Sequence, residues 1–436
     1  MKNAKLYTVL FPFKELFFFF WLDLTPAILF SNPTMALSLQ RYLRPDNGCT
    51  ELLEPSKEEK EESMLIALKK IHYYLPENLF IEILSRLSVK DLLHFKSVCK
   101  SWHEIISSPI FVSKHLSNYY KNNDDWRGCL LVQFFVSQAE IQLCELLVDK
   151  TPRVLDYEVL YDVPMYGSLY VYGPCNGLYY MCEYNHRRRA LWNPAINELK
   201  TLPRIIRKPD LPTKLTYNRN EVFGFGFDHV SEDYKVVVMK GYWNVDDHDS
   251  DLDHPVSVLV YSLKTNSWRY CGDLAKAYHL ELNRCYIYVN GCCYWLGSFE
   301  YSSEVIISFD MANNSFKEID VPDYAKPSSK CLAVYDDSLV LLSLHETDKI
   351  LDIWTWSEEG GWTKKFTVGP LPRVRSPVGH WKGNRLVLQG TYGELLLYDP
   401  GTQETNYLGF TNPTSYYEGV YAYMESLVSI NDKIKS

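Results

Sequence analysis

Apolar positions change their period once along this chain, near residue 127, and the change divides it into a helical part and a stranded part. On the N-terminal side, Leu79, Ile83 and Leu87 recur at four-residue spacing, and Ile81 and Leu84 widen the stripe. That spacing predicts a helix from about Glu77 to Arg86. Leu75-Pro76 sets an extended approach, since proline disfavours helical geometry in the residue before it and suits a first helical turn. Ser88 can cap a second helix, with Asp91 in its first turn and Leu92, Leu93 and Phe95 on its apolar face. A third helix runs through Val98, Cys99, Trp102, Ile105 and Ile106, and Pro109 breaks or restarts it. Three short helices within about 40 residues bury too little surface to stand alone. Some of these side chains must face a partner or the next domain.

Beyond a polar hinge at Leu116–Trp126, short alternating strands separated by turn residues continue to about Leu427. One unit repeats: a strand ends in an aromatic, a short turn follows, and another strand begins. The copies are WNPAINEL from Trp192, YSLKTNSW from Tyr261, FDMANNSF from Phe309, WTWSEEGGW from Trp354 and YDPGTQET from Tyr398, with anchors 69, 48, 45 and 44 residues apart. The wide first interval accommodates two extra loops, Arg204–Asn220 and Asn244–Pro255. Hairpin turns keep step at Asn176-Gly177, Asn290-Gly291, Asp336-Asp337 and Gly383-Asn384, where both central residues of an Asn-Gly turn need positive φ. A period near 45 with several strands per unit is that of a β-propeller blade, and the length suggests about six blades. Closing the ring would pair a late strand around Tyr421–Met424 with an early one at Leu130–Val136, which removes the exposed edges. A two-layer β-sandwich is the competing architecture.

The 436 residues have room for two or three domains. Thirty-three tyrosines lean the chain towards strands. The formal charge of −9 argues against non-specific nucleic-acid binding, which draws on Lys and Arg, and permits attraction to a basic protein. Eleven cysteines, an odd number with no CxxC pair, read as reduced intracellular thiols rather than a disulfide frame or zinc site. The adjacent Cys292 and Cys293 belong on opposite faces of a strand. Residues 1–63 form an N-terminal extension, read as disordered or as not native to the mature chain. Its run Leu16–Leu22 is far short of the ~20 apolar residues that span a bilayer, and it lacks the cleavage site of a secretory leader. No membrane association is expected.

Motifs of catalysis are missing from the sequence: no GxSxG, HExxH or P-loop occurs, and Gly224–Gly226 lacks the third glycine of a nucleotide fingerprint. No cofactor is expected. The most distinctive local chemistry is the loop containing Asp246, Asp247, Asp249, Asp251 and Asp253. It lacks the glycine and glutamate of a calcium loop, so no metal is assigned to it. It reads either as a solvated loop or as an element that steers a basic substrate. Arg187, Arg188 and Arg189 are placed at a hairpin tip, solvated or in contact with an acidic patch.

The stretch LPENLFIEILSRLSVKDLLHFKSVCKSWHEII, from Leu75, resembles an F-box. Its landmarks stand here as Leu75, Pro76, Leu79, Ile83, Leu84, Leu87, Leu92, Phe95, Val98, Cys99 and Trp102. The resemblance implies that these residues bind a Skp-type adaptor, and through it the cullin and RING subunits of an SCF ubiquitin ligase. The pieces GPCNGL at Gly173–Leu178, LWNPAINELKTLP, GFGFDHVSEDYKVV at Gly224–Val237, VYSLKTNSWR, CCYWLG, SFDMANNSFKEIDVP and YMESLVS resemble the F-box-associated domain of plant F-box proteins. The likeness is strongest to the S-locus F-box and S-locus F-box-like group. The expected organisation is α+β and multidomain: a three-helix F-box at 64–115, a hinge at 116–126, and an all-β, propeller-like, kelch-type domain at 127–430. The resemblance implies a non-catalytic substrate receptor in the cytoplasm or nucleus, which directs a protein to ubiquitination and degradation by proximity. In S-locus members the captured proteins are S-ribonucleases. Two other classes remain open, a non-ligase interaction scaffold and a propeller enzyme with a polar pocket.

Overall fold

Strands buried on both faces build the larger part of the molecule. The computed structural model describes residues 77–121, 128–135, 139–146, 152–155, 169–183, 187–205, 215–244, 256–274, 279–280, 286–299, 303–322, 328–381, 385–411 and 417–431. Its strands form six antiparallel sheets, numbered here as blades. Blade 1 orders Tyr417–Tyr423, Gly128–Phe135, Ala139–Leu146 and Pro152–Leu155. Blade 2 holds Leu169–Cys175, Leu178–Glu183, Arg189–Asn193 and Glu198–Thr201. Blade 3 holds Leu215–Asp228, Asp233–Asn244, Val256–Ser262 and Ser267–Leu274. Blade 4 opens on Tyr286–Val289, beside a short strand at His279–Leu280, and continues with Cys292–Phe299, Ser303–Asp310 and Ser315–Asp320. Blade 5 holds Ser328–Tyr335, Ser338–His345, Leu351–Ser357 and Gly361–Val368. Blade 6 holds Val374–Trp381, Arg385–Gly390, Glu394–Asp399 and Glu404–Thr411.

The core is divided among the gaps between blades. Leu131 and Tyr423 of blade 1 meet Val171, Tyr179, Met181 and Trp192 of blade 2. The other face of blade 2, with Tyr172, Tyr180 and Leu191, packs on Phe223, Phe225 and Val236 of blade 3. Similar apolar layers join blades 3 and 4, 4 and 5, and 5 and 6. A further layer joins blade 6 back to blade 1 through Val387, Leu395 and Leu397 against Leu130, Val132 and Val420. The first strands of neighbouring blades approach one another in the same cyclic order. A two-layer sandwich has one shared core, whereas this chain has a closed cycle of them. It is a propeller, and its six sheets agree with the count expected from the repeat.

Ring closure is made by the pair anticipated from the sequence, with Cys129 opposite Tyr423, Leu131 opposite Tyr421 and Val132 opposite Val420. The repeated unit forms the outer hairpin of blades 2 to 6. In each copy a short polar side chain accepts a backbone N–H two or three residues on: Asn193 from Ala195, Ser262 from Thr265, Asp310 from Ala312, Ser357 from Gly360 and Asp399 from Gly401. Four residues after each acceptor the chain turns left-handed, at Asn197, Asn266, Asn314, Gly361 and Gln403. Side-chain acceptors that mimic a backbone turn account for the Asn, Asp and Ser at this position. The structure moves the blade 5 anchor from Trp354 to Trp356, which faces Trp362 across the hairpin. It also begins the first strand of blade 3 at Leu215, inside the segment expected to be a loop up to Asn220. The turns at Asn176, Asn290 and Asp336 have the expected positive φ, and Gly383-Asn384 lies outside the described residues. Cys292 and Cys293 do face opposite ways, towards blade 5 and blade 3 respectively.

The GFGF stretch shows why alternation matters. Phe223 and Phe225 point to blade 2, so Gly224 and Gly226 point to blade 4. There Trp295 Nε1 donates to Phe223 O at 2.8 Å and Tyr288 Oη donates to Phe227 O at 2.6 Å. Tyr286 Oη accepts the Phe225 N–H at 2.7 Å. A Cβ at Gly226 would stand 2.3 Å from the Tyr288 ring. The glycines thus serve close approach between blades and have no nucleotide role.

Among the described residues, four helices precede the propeller: α1 (Glu77–Leu84), α2 (Val89–Phe95), α3 (Lys100–Ser107) and α4 (Pro109–Lys121). Ser88 caps α2 as expected, accepting the Asp91 N–H at 3.2 Å. Pro109 restarts the chain as a helix, with Ser108 Oγ accepting from Phe111 N at 3.2 Å. The three expected helices are present, a further one follows at Pro109–Lys121, and the segment expected to be a hinge is helical as far as Lys121. No helix among the described residues is long and apolar enough to cross a membrane.

Overpacking a filled core typically costs about 1–3 kcal/mol. Gly226→Ala should therefore lower the urea midpoint of the propeller by that free energy. Gly379→Ala, whose Cβ would meet Val420 O at an ordinary 3.7 Å, should leave the midpoint close to wild type.

Candidate functional site

The helical module is organised around Trp102. Its ring stands edge-on to Phe80 at 4.9 Å and to Phe95 at 5.2 Å. Leu84, Val89, Leu92, Ile106 and Phe111 close the same core. At its base the buried His115 ring hydrogen-bonds Leu87 O through Nε2 at 2.9 Å, and burial lowers its pKa. Asn118 Nδ2 donates to Ser85 Oγ at 2.8 Å, tying α4 to the end of α1.

Among the residues read as adaptor contacts, Leu84, Leu92, Phe95 and Trp102 lie inside this core. They hold the module together and do not offer a surface. Ile83, Leu87, Val98 and Cys99 are half-buried. Leu79 is 38% exposed, although its four-residue stripe reads equally well as an inward face. Leu75 and Pro76 lie outside the described residues. Two apolar stripes share α1, and the neighbouring one, Phe80 with Leu84, is the stripe that packs inward. The surface also includes Leu93 at 37% and Ile110 at 79% exposure, residues that the F-box landmarks do not single out.

Antiparallel pairing makes the connections within each blade alternate between two faces. The turns after first and third strands lie on one face, called near, and the remaining connections lie on the far face. The chain enters blade 1 at Gly128 and leaves it at Tyr423 on the near face, so the helical module attaches there. Arg187 and Arg188 lie on the far face, exposed between the second and third strands of blade 2. Arg188 Nε stands 3.9 Å from Glu183. Asp246, Asp247, Asp249, Asp251 and Asp253 lie outside the described residues; the strand ends that flank them, Asn244 and Val256, are on the far face.

Arg189 corrects the expectation of a three-arginine tip. It begins the third strand of blade 2 and is buried, with Nη2 2.5 Å from Glu221 Oε2. Lys240 Nζ approaches the other oxygen of the same carboxylate at 2.6 Å. Burial lowers the Lys240 pKa, and Glu221 opposes the shift. Alternation carries the reason: Arg189 is in register with Cys182, whose side chain points into the gap facing blade 3. Three consecutive arginines do not reveal where the strand begins.

The tail after Tyr423 brings together three of the motifs read from the sequence. Asn193 Nδ2 donates to Ser426 O at 3.0 Å and to Val428 O at 2.8 Å. Glu198 accepts the Ile430 N–H at 2.8 Å and the Ser429 hydroxyl at 3.0 Å. Gly177, at φ +78°, lies so close under the tail that a Cβ would meet Ser426 Cβ at 2.3 Å. Met424, Ser426, Leu427 and Ile430 are buried. Glu425 reaches the helical module, where Oε2 accepts the Val89 N–H of α2 at 2.9 Å.

Nucleophilic chemistry finds little support among the described residues. Burial pushes the Cys182 thiol up to about 12 and raises the Cys175 and Cys293 thiols as well, away from the reactive thiolate. No group of three His, Cys, Asp or Glu side chains among the described residues is arranged to hold a metal.

Removing one partner of a buried ion pair typically costs about 3–5 kcal/mol. Glu221→Gln, which would strand Arg189 and Lys240 together, should destabilise the propeller by that order in chemical denaturation.

Comparison with known proteins places both parts of the chain. Residues 127–416 match the model of the F-box associated beta propeller domain, and residues 74–114 match the F-box domain. The F-box protein CPR1 of Arabidopsis thaliana is 25% identical over 69% of this chain and 75% of its own. The F-box/kelch-repeat protein At3g23880 of the same plant is 27% identical over 82% and 96%. The F-box protein At3g08750, also of Arabidopsis thaliana, is 29% identical over 64% and 69%. With a helical module leading into a closed ring of blades, the chain belongs to the F-box associated β-propeller family, its propeller preceded by an F-box domain.

Proposed function

We propose that this protein is the substrate-recognition subunit of an SCF ubiquitin ligase, working in the cytoplasm or nucleus. The F-box docks on a Skp-type adaptor, and through it on the cullin and RING subunits, while the propeller holds a target protein. The observation that carries this reading is the apolar surface left by a fully built helical core. Leu79 and Leu93 remain more than a third exposed, and Ile83 and Leu87 are half-buried. The receptor needs no catalytic side chain. Its contribution is to raise the local concentration of target lysines beside the ubiquitin carrier.

Leu79 and Leu93 make the direct adaptor contacts, supported from beneath by Leu84, Leu92, Phe95 and Trp102. A central contact residue is commonly worth 1–2 kcal/mol or more. Leu79→Asp/Leu93→Asp should therefore weaken binding to a purified Skp-type adaptor by roughly tenfold or more. Its helical circular dichroism should match wild type. Full affinity in the double variant would remove this surface from the interface, and failure of the folded wild type to bind would remove the ligase role.

For the target we infer a basic protein, of which S-ribonucleases are the example suggested by the S-locus resemblance. Support comes from the five aspartates between Asp246 and Asp253 and from the far-face position of their flanking strands. Replacing all five with asparagine should slow association with a basic S-ribonuclease at low ionic strength and flatten its salt dependence. An unchanged rate would discard the steering role.

A further inference from the structure

We propose that Glu425 is a positioning residue that holds the F-box at a set orientation on the near face of the propeller. The proposal rests on the receptor reading above, because orientation then determines where a captured target stands relative to the adaptor. Its basis is a chain of contacts through the C-terminal tail. Ser88 takes the Asp91 N–H of α2, and the Glu425 carboxylate takes the Val89 N–H at 2.9 Å. A carboxylate accepting an amide makes a charge-assisted hydrogen bond, stronger and more directional than a neutral one.

The residues on either side of Glu425 are held to the ring. Tyr423 belongs to the strand that closes blade 1. Ser426 O and Val428 O are both fixed by Asn193 Nδ2, and Ile430 N by Glu198, all from the outer hairpin of blade 2. Ser426 is fully buried over Gly177. Glu425 therefore has little freedom of its own, and a helix attached to it is referred to blades 1 and 2. The covalent route between module and ring runs from Lys121, at the end of α4, to Gly128. The Val89–Glu425 contact adds a second attachment near the opposite end of the helical sequence. Two attachments define an orientation where one defines a pivot. The charge of Glu425 also acts on the buried His115 of α4, against the lowering that burial imposes on that ring.

The test uses the full chain with a donor and an acceptor fluorophore on unnatural amino acids at the exposed positions Glu104 and Glu359. Single-molecule energy transfer would be read with and without a Skp-type adaptor. Wild type should give one narrow distribution. Glu425→Ala should widen it at least twofold, and Glu425→Gln, which keeps a carbonyl acceptor without the charge, should fall between. Adaptor affinity should stay within twofold of wild type, and the thermal midpoint of the propeller should not move, so that loss of fold is separated from loss of orientation. A Glu425→Ala distribution as narrow as wild type would overturn the proposal. Absence of adaptor binding by wild type would remove the receptor reading, while the width of the distribution would still decide whether Glu425 sets the orientation.

Discussion

Closure of the ring is the constraint on which the rest of this structure depends. Each blade buries both faces, and each face needs a neighbour. The last strand, Tyr417–Tyr423, joins Gly128–Phe135 from the beginning of the domain, and Tyr421 Oη reaches across to Val171 O of blade 2 at 2.7 Å. Without that pairing, Leu130, Val132 and Val420 would lose the apolar layer shared with blade 6, and blade 1 would keep an unpaired edge of the kind that invites aggregation. Contacts this distant in sequence carry a large loop-closure entropy and form late relative to local hairpins. The self-capped turns, with Asn193, Ser262, Asp310, Ser357 and Asp399 in equivalent roles, are by contrast closed by contacts local in sequence.

The same closure brings the F-box to the ring. Both the entry of the chain into blade 1 and its exit from it lie on the near face, so the tail that completes the sheet meets α2 at Glu425 and then runs over Gly177 and Asn193. Motifs that stand more than two hundred residues apart in sequence therefore meet at one place. Under the proposed receptor role, joining the helical module to the propeller by structure in addition to a linker sets the distance at which a target is presented. The far face carries Arg187, Arg188 and the strand ends that flank the acidic loop.

Much of this was legible from the chain. Asn-Gly turns demand positive φ, so they reported the inner hairpins reliably. The repeated outer turn gave the blade period, and the alternating apolar strands at the two ends of the domain indicated how the ring closes. What the sequence could not show was direction. On α1 two apolar stripes compete, and only packing against Trp102 separates inward Phe80 and Leu84 from outward Leu79. Arg187, Arg188 and Arg189 look alike until strand register buries the third beside Glu221. Gly224 and Gly226 resemble part of a nucleotide loop until the rings of Trp295 and Tyr288 are seen occupying the space above them. Glu425 carried no local signal, because its partner is a backbone amide of α2.

The most direct measurement of the account is native-state hydrogen exchange on the full chain, read for peptides covering Gly128–Phe135 and Tyr417–Tyr423. A closed ring predicts that the two strands are protected together, exchange with the same opening free energy, and match the inner strands of blades 3 and 5. Rapid exchange in either closing strand, while those inner strands stay protected, would contradict closure of the ring and with it the route by which the C-terminal tail reaches the F-box.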